Sequence, residues 1–374
     1  MAFYVFGGSN SIYKDGWIQN FSERVGQPVL NRSIGATTTL TGIFRFLMSG
    51  ENEQPSKGDH VIWEYALNDV NHVPRNYRRE MLLKNVEHFI ILCRNRGCRF
   101  IPLIMTPQWQ EKAPQRDPYY QMLSDLFRHY RIASFDISLA WRQQNSLQAL
   151  PDALYADSAH YARRPDLLDF IAGGVADLIP TSRVPAKIAP LYTGGRTLSL
   201  AEGLDETFFE NSLMRVPATT LPLSIELQGR GHVAAICALF HLDFDSGIRV
   251  RLQKGAEDVR QTRFSTTNRV RRRVIVKAVS LEHALGKRWK DRWAFEPGDK
   301  FLLSPASLPG EFYAEQEVRA KLDAPRVRPP GRVAAVLIER DPKITPFTFG
   351  WLRRALSALR SSKADRGSGG STSS

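Results

Sequence analysis

Short apolar runs alternate with longer amphipathic segments through the first half of the chain. The apolar runs predict five strands, which cover residues 3–6, 29–31, 60–65, 99–105 and 132–136. The amphipathic segments predict helices over residues 15–25, with Asp15 as the cap, and over 40–48, 75–96, 118–130 and 165–178. Strands that alternate with helices are typical of βαβ units, so residues 1–180 are predicted to form an α/β domain with a parallel sheet.

The hydrophobic pattern changes after Pro180. Residues 181–196 contain Pro185, Pro190 and a Gly194-Gly195 pair, which predicts a linker. Six β-rich runs separated by turn residues follow, at 221–227, 232–242, 248–252, 273–279, 300–303 and 333–338. Residues 197–345 are therefore predicted to form a β-rich domain of sandwich or jelly-roll type. Residues 346–374 are predicted to hold a short basic helix (347–360) and a disordered Ser/Gly-rich tail.

Composition and charge narrow the class of protein. A chain of 374 residues that is 43% hydrophobic and 10% aromatic is not a disordered one, and its length favours two domains. Residues 1–180 hold 19 basic and 18 acidic residues, whereas residues 181–374 hold 32 and 20. The net charge of +13 therefore belongs almost entirely to the second half, and the two halves are expected to face different partners.

Two basic features of the second half allow two interpretations each. The run Arg-Val-Arg-Arg-Arg at 269–273 could face nucleic acid, an anionic polysaccharide or acidic lipid headgroups, or it could protect a solvated strand edge. No recognisable nucleic-acid-binding motif accompanies it. Leu352, Leu356 and Leu359 share one helical face, which could dock on the β-rich domain or lie on a membrane surface. Peripheral contact with an anionic surface is the partner expected for this half, and no specific nucleic acid is expected.

The chain shows no export or membrane signal. No apolar run reaches the ~18 residues that a membrane span needs, and no basic stretch or small-residue cleavage site marks a leader. Three cysteines, Cys93, Cys98 and Cys237, are too few for a disulfide framework and lack zinc-ligand spacing. We therefore expect reduced thiols, a cytoplasmic location, no metal and no cofactor.

Four segments with residues suited to acyl transfer follow the predicted strands or lie in a late loop: Gly7-Gly8-Ser9-Asn10-Ser11, Ser33-Ile34-Gly35-Ala36, Ala66-Leu67-Asn68-Asp69 and Asp157-Ser158-Ala159-His160. In open parallel sheets, ligands bind beyond the carboxyl ends of the strands, where the strand order reverses. A 2-1-3-4-5 order would place Ser9 and Asn68 on neighbouring strand ends. The sequence therefore predicts one cleft lined by these segments.

A serine becomes a useful nucleophile when a histidine takes its proton, and a carboxylate orients that histidine. Ser9, His160 and Asp157 fit these three positions. The backbone N–H groups of Ser9 and Gly35, together with the Asn68 carboxamide, could stabilise the oxyanion. Ser11 is a rival nucleophile that could instead cap the following segment.

Ser9, Gly35, Asn68 and His160 also resemble, in order and context, the four conserved blocks of the SGNH (GDSL-type) hydrolase family, over residues 1–180. The resemblance implies a flavodoxin-like α/β/α three-layer domain and a serine esterase, lipase or acyltransferase. It assigns Ser9 as nucleophile, Asp157 and His160 as its partners, and Ser9, Gly35 and Asn68 as the oxyanion hole. Two positions depart from the family: Gly8 replaces an aspartate, and Ala66 replaces a glycine.

The hypothesis that follows is a serine-dependent esterase that removes acyl groups, O-acetyl above all, through an acyl-enzyme. The family's habits and the appended β-rich domain point to a carbohydrate substrate, with Asp69, His72 and Trp109 as further substrate contacts; Asp69 could instead be structural, and Trp109 could stack on a sugar ring or serve packing. One alternative is an O-acyltransferase that uses the same site on a polysaccharide. The other is a non-catalytic protein that binds an anionic glycan, lipid or nucleic acid. The oligomeric state stays open.

Overall fold

A computed structural model describes residues 1–48, 53–75, 77–202, 204, 207–211, 214–241, 247–264, 274–282, 293–306 and 332–342. Its first half contains a five-stranded parallel sheet made of β1 (Phe3–Gly7), β2 (Val29–Asn31), β3 (His60–Glu64), β4 (Arg99–Ile104) and β5 (Phe135–Asp136). The strand order is β2-β1-β3-β4-β5, which confirms the predicted flavodoxin-like order. All five predicted strands are present, although the fifth is shorter than expected.

The described helices of this half are α1 (Trp17–Val25), α2 (Thr39–Met48), α3 (Ala66–Val70), α4 (Arg79–Arg96), α5 (Gln108–Glu111), α6 (Pro118–His129), α7 (Ile137–Asn145) and α8 (Pro165–Asp177). The five predicted helices are confirmed within a few residues at each end. The sequence analysis missed α3, α5 and α7. Asp15 does not cap α1, because Gly16 precedes the helix and the Asp15 carboxylate instead pairs with Arg163 at 2.8 Å.

Alternation along the strands separates two hydrophobic clusters, one on each face of the sheet. Phe3 and Val5 of β1 pack with α1 and α8, whereas Tyr4 and Phe6 pack with α2, α4 and α6. Because successive strand residues point to opposite faces, one apolar strand serves both layers. The result is the predicted α/β/α three-layer arrangement.

The second half is β-rich, as predicted. Its strands are β6 (Thr197–Leu200), β7 (Phe208–Asn211), β8 (Met214–Pro217), β9 (Thr219–Thr220), β10 (Leu223–Glu226), β11 (Gly231–His241), β12 (Gly247–Lys254), β13 (Glu257–Phe264), β14 (Val274–Ser280), β15 (Ala294–Phe295), β16 (Lys300–Ala306) and β17 (Arg332–Arg340). They form an antiparallel sheet of order β10-β16-β12-β13 and another of order β14-β11-β17-β6, with β15 beside β11 and β9 beside β17; β7 and β8 form a separate pair.

The sheet that contains β11 is buried on both faces. One face shares a hydrophobic cluster with the four-stranded sheet, through residues such as Ile236 and Ile338. The other face continues the cluster that surrounds α2 and α4, through residues such as Cys237, Ala278 and Ala335. The β-rich region therefore packs directly against the α/β domain over an apolar surface, and small side chains allow close approach there.

Buried charges also join the two parts. On α4, Lys84 Nζ lies 2.5 Å from carboxylate oxygens of both Glu339 and Glu282, and His88 Nε2 lies 3.0 Å from Glu339. Burial raises the pKa of Glu339, but the contacts with His88 and Lys84 outweigh this effect and hold the pKa below its usual value. Glu339 thus carries its charge inside the interface.

Glu87 of α4 holds the predicted linker. Its carboxylate accepts hydrogen bonds from the backbone N–H groups of Leu191, Tyr192 and Thr193, at 2.6–2.7 Å. A buried carboxylate with several N–H donors is well compensated for lost hydration. The segment at 181–196 is therefore fastened to the α/β domain.

Several sequence predictions fall outside the described residues: the basic run at 269–273, the helix at 347–360 with its leucine face, and the Ser/Gly-rich tail. Contact of the basic half with an anionic surface stays a prediction. Among the residues that the structure describes, no helix combines the length and apolar character needed to cross a membrane.

We expect Glu339→Ala to lower the free energy of unfolding by about 3–5 kcal/mol, because it removes the carboxylate shared by Lys84 and His88 inside the interface. Urea unfolding followed by circular dichroism measures this loss. Glu296→Ala is the control, since it breaks an exposed Arg230–Glu296 pair of the same 2.5 Å length, at a cost of at most about 1 kcal/mol. Equal losses in the two variants would contradict a stabilising role for the buried pair.

Candidate active site

The serine-bearing loop begins where β1 ends at the carboxyl edge of the sheet. Ser9–Ser11 form a single tight turn, closed by a hydrogen bond from the Ser11 N–H to the Gly8 carbonyl at 3.2 Å. The turn presents Ser9 to His160, and Ser9 Oγ lies 2.7 Å from His160 Nε2. Two groups 151 residues apart in sequence are thus at hydrogen-bond distance.

Asp157 orients the histidine from the same loop. His160 Nδ1 lies 2.7 Å from one carboxylate oxygen of Asp157 and 2.9 Å from the other. The backbone N–H groups of Ala159 and His160 also donate to this carboxylate, at 2.8 and 2.9 Å. Partial burial raises the pKa of Asp157, but these hydrogen bonds and the neighbouring imidazole outweigh it and lower the pKa below its usual value. The structure therefore assembles the serine, histidine and aspartate that the sequence singled out.

Asn10, to which the sequence analysis assigned no role, connects the loop of His160 to the loop of Ser9 through hydrogen bonds. Its side-chain Nδ2 donates to the Ala159 carbonyl at 3.1 Å, and its Oδ1 accepts from the Tyr161 N–H at 2.9 Å. These two bonds flank His160 on both sides. The only sequence signal was a polar residue directly after Ser9.

Ser11 points elsewhere. Its hydroxyl donates to the carboxylate of Glu64 at 2.8 Å and accepts from the indole N–H of Trp17 at 3.3 Å, and the residue is buried. Ser9, and not Ser11, is therefore the serine that contacts His160.

The two other predicted loops meet at the serine. A Cβ built on Gly35 would lie 3.5 Å from the Cβ of Ser9, so the loop after β2 passes close to Ser9. The carboxamide of Asn68 lies against Gly8. The structure thus brings Ser9, Gly35 and Asn68 together.

Glycine at position 8 has a steric reason in this protein. A Cβ at position 8 would lie 2.1 Å from Oδ1 and 2.8 Å from Nδ2 of Asn68, which is far inside van der Waals contact. Only glycine leaves room for the Asn68 carboxamide in its present position. An aspartate here would require Asn68 to move.

Asp69 and His72 are buried close to Asn68 in the chain. Asp69 accepts from the backbone N–H of Thr39 at 3.0 Å, from the Thr39 hydroxyl at 2.6 Å and from Tyr119 at 3.1 Å. His72 Nδ1 contacts the Asn68 carbonyl at 2.7 Å, and both residues are buried. Their placement suits the positioning of Asn68 and α2 rather than contact with a substrate.

Trp109 lies on α5 and is 37% exposed. Its indole N–H donates to Asn71 at 2.8 Å, and the neighbouring Gln108 N–H donates to the Ser158 carbonyl at 3.1 Å in the loop that carries His160. The indole is therefore held beside the His160 loop with part of its surface open to solvent.

Glu64, at the end of β3, is a further residue that the sequence analysis missed. Its Oε2 accepts from the Gly8 N–H at 3.1 Å as well as from Ser11. Burial raises the pKa of its carboxyl from 4.5 to about 7, and the pKa of the buried Asp69 rises from 3.8 to about 7 for the same reason. The sequence feature that could have indicated Glu64 is an acidic residue at the end of an apolar run.

Among the described residues, no cluster of three or more histidine, cysteine or acidic side chains could hold a metal ion. The three cysteines are buried, and none of them forms a disulfide bond within the described part of the chain.

No family model matches the chain, and no curated protein matches it. Among solved structures, the protein YXIM from Bacillus subtilis matches at 16% identity with a TM-score of 0.38, over 48% of this chain and 56% of that protein. A member of the lipolytic protein G-D-S-L family from Veillonella parvula DSM 2008 matches at 14% identity with a TM-score of 0.39, over 48% of this chain and 98% of that one.

The acetyl xylan esterase AlAXEase matches at 15% identity with a TM-score of 0.39, over 47% of this chain and 98% of the esterase. G-D-S-L proteins are thus among the solved structures that about half of this chain resembles.

We expect the stability of the wild type to fall, relative to Glu64→Gln, as the pH rises from about 5 to about 8. The unfolded chain loses the Glu64 proton near pH 4.5, whereas burial makes the folded protein keep it up to about pH 7. The folded state therefore binds more protons across this window, and its stability falls by up to about 3 kcal/mol. Glutamine is neutral throughout and keeps an oxygen that can accept from Gly8 and Ser11.

Urea unfolding at several pH values measures the difference between the two proteins. Glu23→Gln is the control, because this side chain is exposed on α1. Parallel stability curves for the wild type and Glu64→Gln would contradict the raised pKa.

Proposed function

We propose that this protein is a serine-dependent esterase that cleaves acyl esters through an acyl-enzyme. The observation that carries the proposal is the chain of contacts from Ser9 through His160 to Asp157, with 2.7 Å at both steps. It lies at the carboxyl edge of a parallel sheet, where such folds bind ligands.

In the first half-reaction, Ser9 Oγ attacks the ester carbonyl carbon while His160 Nε2 takes the hydroxyl proton. Asp157 keeps Nδ1 protonated and stabilises the imidazolium that forms. The C–O bond to the leaving alcohol then breaks, and His160 returns the proton to that alcohol. An acyl group is left on Ser9.

In the second half-reaction, water gives a proton to His160 and attacks the acyl carbon. The bond from that carbon to Ser9 Oγ then breaks, His160 returns the proton to Ser9 Oγ, and the carboxylic acid is released. Negative charge develops on the carbonyl oxygen in both halves. We assign its stabilisation to the backbone N–H groups of Ser9 and Gly35 and to the Asn68 carboxamide, the groups that meet at the serine.

An O-acetylated carbohydrate is the substrate class that we propose. The partly exposed indole of Trp109 beside the His160 loop supports this choice, because an aromatic face offers an apolar platform to a sugar ring. Transfer to a sugar hydroxyl instead of water would use the same acyl-enzyme, and analysis of the products with an added polysaccharide distinguishes the two.

We expect Ser9→Ala to abolish hydrolysis of p-nitrophenyl acetate and labelling by a fluorophosphonate, whereas Ser11→Ala keeps the label. The reason is that only Ser9 contacts His160, while Ser11 is bound to Glu64. A kinetic assay and mass spectrometry of the labelled peptide provide the measurements. Full activity in a folded Ser9→Ala variant would refute the assignment, and absence of any label on the wild type would favour the non-catalytic binding protein.

We expect Gly8→Ala to lower kcat by about 100- to 1,000-fold with little change in the melting temperature, because the new methyl group displaces the Asn68 carboxamide from the oxyanion hole. Gly173→Ala is the matched control, since the nearest heavy atom to its new methyl group lies 3.7 Å away. Steady-state kinetics with p-nitrophenyl acetate measures both. Unchanged kcat in Gly8→Ala would show that Asn68 does not act as proposed.

A further inference from the structure

The segment that carries Gly35 connects β2 to α2 and is held from several directions. The Ile34 N–H donates to the Gly7 carbonyl at 3.0 Å, which ties the segment to the end of β1. The Thr37 hydroxyl donates to the Ile34 carbonyl at 2.7 Å, and Thr39 is bound to Asp69. These contacts come from the α/β domain and leave Gly35 beside Ser9.

The next residue, Ala36, has a backbone conformation that alanine adopts rarely. Its φ is 55°, in the left-handed region where a Cβ crowds the following carbonyl. Such conformations persist when surrounding contacts hold them, and they are common at functional sites.

One of those contacts comes from the β-rich region. The ammonium group of Lys277 donates to the Ala36 carbonyl. Lys277 lies on β14, which is an edge strand in the described order β14-β11-β17-β6. Its side chain is buried, and its strand neighbours Val276 and Ala278 are apolar. The β-rich region therefore touches the residue that follows Gly35.

We propose that Lys277 is a positioning residue, through which the β-rich region holds the Gly35 N–H in the oxyanion hole. The inference rests on the proposed esterase function. Lys277 acts on Gly35 through the Ala36 carbonyl, and no contact between Lys277 and the substrate is required.

The energetics of burial support this role. A buried ammonium loses its hydration, and an apolar side chain of similar volume would avoid that cost. A lysine provides what methionine cannot, which is a hydrogen-bond donor on a long stem that reaches the Ala36 carbonyl.

The test compares Lys277→Met and Lys277→Arg with Lys84→Met. The control makes the same substitution at the same interface, where Lys84 pairs with Glu282 and Glu339 and has no role at Gly35. Each variant is assayed for kcat and KM with p-nitrophenyl acetate, for melting temperature, and for hydrogen exchange of peptides that span residues 33–38.

We expect Lys277→Met to lower kcat by about 10- to 100-fold with KM little changed, because a displaced oxyanion donor affects the transition state more than the ground state. Hydrogen exchange at 33–38 rises in the same variant. Lys277→Arg recovers part of kcat, since arginine keeps a charged donor. Lys84→Met lowers the melting temperature and leaves kcat unchanged.

Either of two kinetic results overturns this inference and leaves the esterase proposal standing. The first is an active wild type with unchanged kcat in Lys277→Met. The second is a fall in kcat that Lys84→Met reproduces at equal loss of stability. Unchanged exchange at 33–38 in Lys277→Met also overturns it, and this readout does not depend on activity. An inactive wild type without label on Ser9 overturns the esterase proposal and the catalytic part of this inference together.

Discussion

The hydrogen bond between Ser9 and His160 sets the geometry on which the rest of the site depends. It joins the first loop of the chain to a loop 151 residues later, and it requires both to hold their positions within a fraction of an ångström. Asn10 meets this requirement by bonding the backbone on either side of His160. Asp157 then needs to bridge only three residues to orient the imidazole. The proposed chemistry thus rests on one loop-to-loop contact that backbone bonds reinforce.

Two buried acids, Glu64 and Asp69, form hydrogen bonds to the segments around Ser9 and Asn68. Glu64 accepts a hydrogen bond from the Gly8 N–H in the serine loop. Asp69, on the helix that carries Asn68, accepts one from the Thr39 N–H at the start of α2. Burial raises the pKa values of both carboxyls to about 7, because enclosing their charged forms costs free energy. Such costs are typical of functional sites, where position matters more than stability. Gly8 belongs to the same arrangement, because the space of its missing side chain is occupied by Asn68.

The β-rich region is built into the same hydrophobic structure as the α/β domain. One of its sheets is covered on both faces, and a buried cluster of Lys84, His88 and Glu339 crosses the boundary. The contact between Lys277 and Ala36 extends this boundary to the edge of the proposed oxyanion hole. The charge asymmetry of the sequence therefore does not separate a catalytic half from an independent binding half. It marks two parts that share an interface.

Local sequence determined most of the elements: hydrophobic periodicity gave the five parallel strands, and motif order indicated Ser9, Gly35, Asn68, Asp157 and His160, because these depend on near neighbours in the chain. It did not reveal Asn10 or Glu64, since a single polar residue carries no period or spacing that marks it. Nor did it show why Gly8 replaces an acid, or that β14 reaches Ala36. Those features arise from contacts between segments far apart in sequence, and the tertiary structure alone decides which distant side chains share a space.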